Sequence, residues 1–527
     1  MRLAFVPFLA VAVALQPVFC TPSSVLKPRT RTNSLLISPA ALPALPSAQQ
    51  AASASADAGL NLTDIQGDIL IGMKKNKELF FFFTIINSTL FRSQLGSGIL
   101  PLITPTSQLL AVDTQPTTAV NLAFSQRGLT TLDITDDLGD TAFANGQIDN
   151  VASILGDETS NWESAFAGTS IHGVFLLASD TVDNVNATLS QIQALLNGSI
   201  TESYSLQGQA RPADQQGHEH FGFMDGISNP AVTGFSTPLP GQQVIDPGLF
   251  LLGETGDTVT RPAWAKDGSF LAFRQLQQRV PEFNKFLVDN ALSNPNLTAD
   301  QNAELLGARM MGRWKSGAPV DLTPTVDDPV LAADPQRNNN FNYSHPGFDL
   351  DTDQTHCPFS AHLRKTNPRA GLNPENTANH IIRAGIPYGP EVTDAENASN
   401  VSSTDPSLER GLAFGMHSVM VKSESNDLVP PRCIVAYQSD ISAGFAFLQQ
   451  FWANNAGFPG GKATQPGVDP IIGTDGLGQA DVPRSPSGLD PADPTRIITI
   501  EQDFVVSRGG EYFFSPSLSA IQNTLAI

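Results

Sequence analysis

Leu79-Phe80-Phe81-Phe82-Phe83-Thr84-Ile85-Ile86 is the stretch whose reading decides the fold. It carries no charge, and its polar and apolar positions do not alternate. A strand with one face in water alternates, whereas one covered on both faces is apolar throughout. Leu79–Ile86 therefore reads as a phenylalanine-heavy strand buried on both sides. Neighbouring strands and helices have to supply the cover.

Working outward, an amphipathic stretch runs near Ser88–Leu100, and Ala119–Phe124 is a second strand followed by a helical stretch through Leu132. Ile171–Ala178 is a third strand. Thr181–Leu196 has apolar residues at helical spacing and is closed by Gly198, and Ile200–Leu206 alternates as a strand should. The order approximates βαββαβ, the ferredoxin-like unit. The second half repeats the theme more loosely. Its strand candidates are His220–Phe223, Leu249–Leu252, Ser269–Arg274, Val435–Gln438 and Glu511–Phe514, with helices at Pro281–Leu292, Ala299–Met310 and Ser442–Asn454. The long polar loop Asp321–Asp353 is of a length that is usually functional or an insertion. The expected class is α+β, in two related halves.

A chain of 527 residues has room for a large core. Net charge is −21 with only 15% of residues charged, and the pI is about 4.6. Such an acidic surface disfavours nucleic acid and anionic membranes. Residues 1–20 read as a signal peptide, with Arg2 as its positive end, Leu3–Leu15 as its apolar run and Val18-Phe19-Cys20 at the cleavage site. The apolar run is shorter than the roughly 20 residues that span a bilayer. Residues 21–56, rich in Ser, Ala and Pro, read as a pro-segment or linker. Eight Asn-X-Ser/Thr sequons, at Asn61, Asn87, Asn186, Asn197, Asn296, Asn342, Asn397 and Asn400, fit secretion with N-linked glycans. Cys20, Cys357 and Cys433 are the only cysteines, so no disulfide framework is expected.

The chemistry-bearing residues each admit two readings. Asp225, in Gly222-Phe-Met-Asp-Gly-Ile-Ser-Asn-Pro230, is a carboxylate in apolar surroundings. It either caps the turn beginning at Gly226 or acts as a general acid/base with a pKa raised by desolvation. His218-Glu219-His220 has a spacing that can hold zinc, with no third ligand at a recognisable distance. His362 lies in Cys357-Pro-Phe-Ser-Ala-His-Leu-Arg-Lys-Thr-Asn-Pro-Arg369. It is either a core histidine bonded to a carbonyl or an axial ligand to haem iron. No Cys-x-x-Cys-His occurs, so a haem here is not attached in the c-type manner. Neither a Gly-x-Ser-x-Gly elbow nor a phosphate loop is present.

From about Asp64 to the C-terminus the chain resembles the secreted fungal dye-decolorising peroxidases. The resemblance rests on Ile65-Gln-Gly-Asp-Ile-Leu70, Gly217-His-Glu-His-Phe-Gly-Phe-Met-Asp-Gly226, Gly312-Arg-Trp-Lys-Ser-Gly317, Asp334-Pro-Gln-Arg-Asn-Asn-Asn340 and the Cys357–Arg369 segment. It implies two ferredoxin-like domains of the dimeric α+β barrel type, with antiparallel sheets and peripheral helices. The first spans 57–210 and the second 211–527, with one non-covalent haem b per chain held mainly by the second. It implies His362 as proximal ligand, Asp225 and Arg383 as the distal pair, and Leu412 and Phe414 as apolar lining of the distal pocket. Asp469 corresponds to the carboxylate bonded to the proximal imidazole, and His220, Asn367 and Arg369 to residues near the propionates. Hydrogen peroxide is the implied oxidant and bulky aromatics, dyes and phenols the reducing substrates. Tyr388 and Trp452 are the expected surface electron-transfer positions, against a plain packing role.

The chain departs from the family pattern at one place. Relatives run from the equivalent of Arg410–Phe414 directly into Val435-Ala-Tyr-Gln438, and here 415–434 intervene. A retained intron is the expectation, since Gly415-Met416 is compatible with a donor reading GGTATG. Two other functions compete with the peroxidase. One is a secreted haem-binding protein without turnover, which has no need of both Asp225 and Arg383. The other is a zinc hydrolase built on His218 and His220, which leaves Asp225 and Arg383 unexplained.

Overall fold

The computed structural model describes residues 59–73, 76–111, 113–168, 170–414, 436–474, 478–493 and 496–527. The expected signal peptide (1–20), pro-segment (21–56) and insert (415–434) lie outside them. Among the described residues twelve strands occur, in chain order: β1 (Lys77–Ile85), β2 (Thr118–Phe124), β3 (Gly173–Ser179), β4 (Ile200–Gln209), β5 (Ala231–Val232) and β6 (Val244–Ile245). Then come β7 (Ser269–Gln278), β8 (Ile382–Arg383), β9 (Ile386–Tyr388), β10 (Gly411–Phe414), β11 (Ala436–Gln438) and β12 (Val505–Ser515). The helices that matter below are α1 (Ser88–Gln94), α2 (Gln126–Thr131), α3 (Val182–Leu195), α4 (Val280–Asp289), α5 (Ala299–Met311) and α6 (His362–Thr366).

All strands except β5 and β6 form one antiparallel sheet in the order β10-β9-β4-β1-β3-β2-β12-β7-β11-β8. β10 also pairs with β7, so the ribbon closes into a barrel. Strands from the two halves are thus joined in one closed sheet, β12 forming the seam by pairing with both β2 and β7. β1 is buried on both faces, as its sequence requires. Phe80 and Phe82 point inward to Phe273, with ring centroids at 5.1 and 4.9 Å, while Phe83 meets Phe91 of α1 at 5.8 Å. Full burial of each aromatic side chain is worth roughly 1.5–3 kcal/mol, so this strand is a main source of barrel stability. α3 covers the same face, capped by Thr181, whose hydroxyl accepts from the Asn184 N–H.

Two expected strands are not strands. His220–Phe223 is a tight turn, and Pro247–Leu249 opens a 3-10 turn where Leu249–Leu252 was expected to be extended. Both runs are apolar because they are buried, not because they pair. The expected helix Ser442–Asn454 is shorter and changes pitch, α-helical over Phe445–Phe447 and π-helical over Leu448–Ala453. A second apolar cluster gathers α4, α5, Phe221, Phe223 and Phe504 outside the barrel. The functional residues lie between that cluster and the barrel wall.

β10 and β11 continue one another. On β7, Phe414 faces Arg274 and Ala436 faces Ala272, so only Phe273 lies between their partners. On the other side Ala413 faces Ile386 of β9 and Ala436 faces Arg383 of β8.

Candidate active site

Asp225 is presented by a small hairpin built around Glu219. Both carboxylate oxygens of Glu219 accept backbone N–H groups, from Phe221 and Phe223, each at 2.8 Å. The turn passes through Gly222 at φ +93, a conformation that favours glycine. His218 bridges Met224, and the Asp225 N–H donates to the Gly217 carbonyl at 2.9 Å. Phe221 and Phe223 anchor the turn on Phe283 of α4, with centroids at 4.3 and 6.4 Å. The Asp225 carboxylate accepts the Gly226 N–H at 2.8 Å, so it does cap its own turn. That bond engages Oδ1 and leaves the question of function to the other groups around it. Burial pushes the Asp225 carboxyl up, while the Arg383 guanidinium, the Gly226 N–H and His362 pull it back.

Arg383 ends β8 and is 5% exposed. The side chain of Asn229 holds its backbone from both sides, accepting the Arg383 N–H at 3.3 Å and donating to the Arg383 carbonyl at 3.1 Å. Its Nη2 is buried with no hydrogen-bond partner among the described residues, and burial pushes the guanidinium well below the usual arginine range. A buried charged donor without an acceptor is costly unless a ligand supplies one.

His362 is the first residue of α6, and its Nδ1 lies 2.7 Å from Oδ2 of Asp469. Asp469 is fully buried, and its Oδ1 accepts the N–H groups of Ile471 and Ile472 at 2.8 and 3.1 Å. Burial would raise its pKa, but His362 and these two donors hold the carboxyl below its usual range. An ionised acceptor at Nδ1 fixes the tautomer with the proton on Nδ1 and the lone pair on Nε2. Lys365, one turn along α6, donates to the carbonyls of Asn455, Phe458 and Gly467 at 2.8, 2.8 and 2.6 Å. It thereby ties the helix to the loop that leads into Asp469.

Between α6 and Arg383 lies a cleft that is partly open to solvent. Leu363, Thr366 and Asn367 line one wall, and Arg383, Ser228 and Asn229 another. A smaller pocket, lined by Gly217, His218, Glu219, Leu412 and Arg211 among others, has Asp225 in its wall. A buried imidazole whose Nδ1 is engaged by a carboxylate, leaving Nε2 as the nitrogen that could ligate, and a buried arginine whose Nη2 lacks an acceptor among the described residues are a donor set that fits haem and an anionic ligand.

His362 is thus bonded to Asp469, Asp225 feels the charges of Arg383 and His362, Arg383 and Asn367 line the cleft, and Leu412 lines the smaller pocket with Asp225. Phe414 ends β10, opposite Arg274. Other expected positions differ. His220 does not line the cleft; its Nε2 lies 2.9 Å from the Tyr388 carbonyl, and burial pushes its ring down to about 4. Arg369 lies one layer behind the cleft wall, stacked on Phe341 at 4.0 Å and bonded to the Asn339 Oδ1 at 2.5 Å. Carbonyls of Gly241, Asn339 and Phe341 take its other contacts. Tyr388 and Trp452 were expected at the surface, but each is only 4% exposed. Tyr388 is enclosed by its strand neighbours, and Trp452 stacks on Phe458 at 4.8 Å. The sequence reading missed Asn229 and Asn339, because an Asn before Pro or in a run of Asn reads as turn chemistry. Asn339 accepts from Arg313, Arg369 and Ser228 at 3.0, 2.5 and 2.8 Å and so sets the cleft wall. Among the described residues, no three His, Cys, Asp or Glu side chains are placed to hold a metal ion, which leaves the zinc reading of His218 and His220 without a site.

Residues 64–212 match a family model described as the DyP dimeric alpha+beta barrel domain. The chain is 66% identical to Peroxidase 2 of Mycetinis scorodonius over the full length of both. It is 53% identical to dye-decolorizing peroxidase AauDyP1 of Auricularia auricula-judae, across 94% of this chain and 92% of that one. A crystal structure of a decolorizing peroxidase from A. auricula-judae superposes with a TM-score of 0.81 at 52% identity, covering 89% of this chain and all of that one. A structure of a dye-decolorizing peroxidase whose heme pocket was engineered for asymmetric sulfoxidation matches to the same extent.

Proposed function

The chain belongs to the fungal dye-decolorising peroxidases, haem enzymes that reduce peroxide, and from that premise we propose the roles of its own residues. His362 would hold one non-covalent haem b, and dyes, phenols and other bulky aromatics are the reducing substrates. The observation that carries this reading is the buried His362–Asp469 hydrogen bond accompanied by two further, mutually interacting groups, Asp225 and the buried Arg383. A haem-binding protein without turnover would have no use for the last two.

When bound, haem supplies the iron at which peroxide is reduced and holds the oxidising equivalents that the aromatic substrates consume. Asp225 takes the proton from one peroxide oxygen and returns it to the other, so that the leaving oxygen departs as water. Arg383 stabilises the negative charge that develops on that oxygen, and its Nη2 gains the acceptor it lacks among the described residues. Asp469 keeps His362 in the ligating tautomer and makes the imidazole more electron-donating. The pocket of Leu412 and Arg211 is the route by which a small oxidant reaches Asp225.

Neither Tyr388 nor Trp452 touches solvent freely, so they act as buried relays between the haem and substrates too large for the cleft. Secretion completes the reading. Of the eight sequon asparagines seven are exposed and Asn397 is half-buried, as glycan transfer requires. Among the described residues no helix is long and apolar enough to cross a membrane.

The test is Asp225→Asn. Its Soret band should match that of the wild type, and its reaction with peroxide should slow by about 10²- to 10⁴-fold. A near-wild-type rate would return Asp225 to a turn residue.

A further inference from the structure

Tyr388 is buried, yet its phenol is not sealed in apolar packing. Its Oη donates to Oε1 of Glu409 at 2.9 Å. Glu409 is half-buried and stands at a junction. Gln275 Nε2 reaches the same Oε1 at 3.4 Å, and Arg508 Nε lies 3.1 Å from Oε2. A second phenol, Tyr204, donates to Gln275 Oε1 at 2.9 Å and is itself half-buried. Arg508 continues outward to Glu163, which is also half-buried. One tyrosine is thus joined directly, and a second through one amide, to one carboxylate, at the outer end of β9, β10 and β4.

A phenol gives up an electron readily only when its proton has somewhere to go. In the resting protein, burial first and then the Glu409 charge keep the Tyr388 hydroxyl protonated, well above the usual phenol range. Loss of an electron reverses this, because an oxidised phenol is a strong acid. A carboxylate side chain already at hydrogen-bond distance is the acceptor such a step needs. Trp452 instead packs face to face on Phe458, an apolar neighbour that can take no proton.

We infer that Glu409 is the proton acceptor for oxidation of Tyr388, which makes the Tyr388–Glu409 pair a proton-coupled electron station with Gln275 and Tyr204 as its outward extension. The inference rests on the proposed role of Tyr388 as a relay. In the step, Tyr388 releases one electron toward the peroxide-oxidised haem. Its Oη–H bond breaks and the proton moves to Glu409 Oε1, leaving a neutral tyrosyl and a neutral carboxylic acid. A reducing aromatic at the surface then returns one electron, and the proton goes back from Glu409 to Oη. No oxidant beyond peroxide is required.

The experiment uses purified holoenzyme, freeze-quenched after mixing with peroxide alone and measured by electron paramagnetic resonance. Wild type should show a tyrosyl signal, and Tyr388→Phe should lose it. Glu409→Gln, which keeps the shape but removes the base, should cut that signal and the turnover of a bulky dye by roughly 10²-fold. Glu409→Asp, which keeps a base, should restore part of both. The Soret change with peroxide is recorded for every variant, and a loss of that rate in parallel with dye turnover would make Glu409 merely structural. If Tyr388→Phe lowers the signal and dye turnover while Glu409→Gln leaves both at wild-type levels, Glu409 is not the acceptor. If Tyr388→Phe itself changes nothing, the relay reading fails first. Should Glu409→Gln not fold, the wild type still decides: dye turnover at saturating peroxide must slow in D2O, and equal rates in H2O and D2O would overturn the coupled step.

Discussion

Asp469 decides which nitrogen of His362 carries a proton, and it can do so because His362 itself and two backbone N–H groups hold its carboxyl below the usual range although it is fully buried. Asp469→Asn should therefore do more than weaken a hydrogen bond. An amide can donate to Nδ1 as well as accept from it, so the ring is free to place its proton on Nε2 and lose its ligating lone pair. Haem titration of the haem-free protein, followed at the Soret band, should show affinity reduced by about 10- to 100-fold. Unchanged affinity would assign the 2.7 Å contact to packing alone. Trp452→Phe belongs to the same scale. It keeps an aromatic surface against Phe458 and should impair bulky dyes more than small phenols. Equal loss on both would remove Trp452 from the electron path. The residues of the proposed site that the sequence singled out were those whose type is scarce and whose neighbours are distinctive: Asp225 before a glycine turn, and His362 and Arg383 in recognisable segments. Asn229 was invisible because its work, holding Arg383 by two bonds, depends on a residue far along the chain.

At the scale of elements, the ladder around β10 and β11 bears on the 415–434 segment. Between the partners of Ala413 and Ala436 on β9 and β8 lie only Ala384 and Gly385. On β7 only Phe273 separates the partners of Phe414 and Ala436. Both neighbours therefore leave space for Phe414 followed at once by Val435, in unbroken register. Register in a sheet with a buried face is strongly specified, because a one-residue slip turns every side chain over. Two flanking strands asking for the same junction is what a chain without 415–434 would produce. Peptide mapping of the purified protein should yield a fragment in which Phe414 is bonded to Val435. A fragment carrying Pro430-Pro431 would show that the segment is kept. The strands most legible in the chain were the long ones, β1, β2, β3 and β7, whose apolar runs have no other use. His220–Phe223 and Leu249–Leu252 misled because burial against α4 or under a turn leaves the same apolar signature as pairing. The closure of both halves into one barrel was not readable from either half, since β12 pairs across hundreds of residues.

For the whole molecule, the buried acids set a pH window. Burial pushes Asp68 and Asp140 up to about 6 and Asp267 to about 7, and raises Glu78, Glu219, Glu511 and Asp225 as well. Between the ordinary carboxylate values and these raised ones the folded chain binds more protons than the unfolded chain. Stability from these groups therefore grows as pH falls from about 7 toward 4 and is lost as pH rises. Three histidines oppose this. His172, His220 and His380 are pushed down by burial, so they favour unfolding as pH drops below the ordinary imidazole value. The acids outnumber them, and the repulsion of a net charge of −21 also fades toward the pI of about 4.6. A lower bound comes from Glu396, held down to about 2 by Arg410 and its other hydrogen bonds against its burial, and from Asp469, which lose their charge in strong acid. Thermal unfolding of the holoenzyme should give a higher midpoint at pH 5 than at pH 7.5, and a falling one below about pH 3. Glu78→Gln sharpens the test, because both Glu78 carboxylate oxygens are buried without a hydrogen-bond partner among the described residues. A neutral amide there should raise the midpoint at pH 7.5 and leave it nearly unchanged at pH 4.5. A wild type more stable at pH 7.5 than at pH 5 would mean that the histidines and the paired carboxylates outweigh the buried acids.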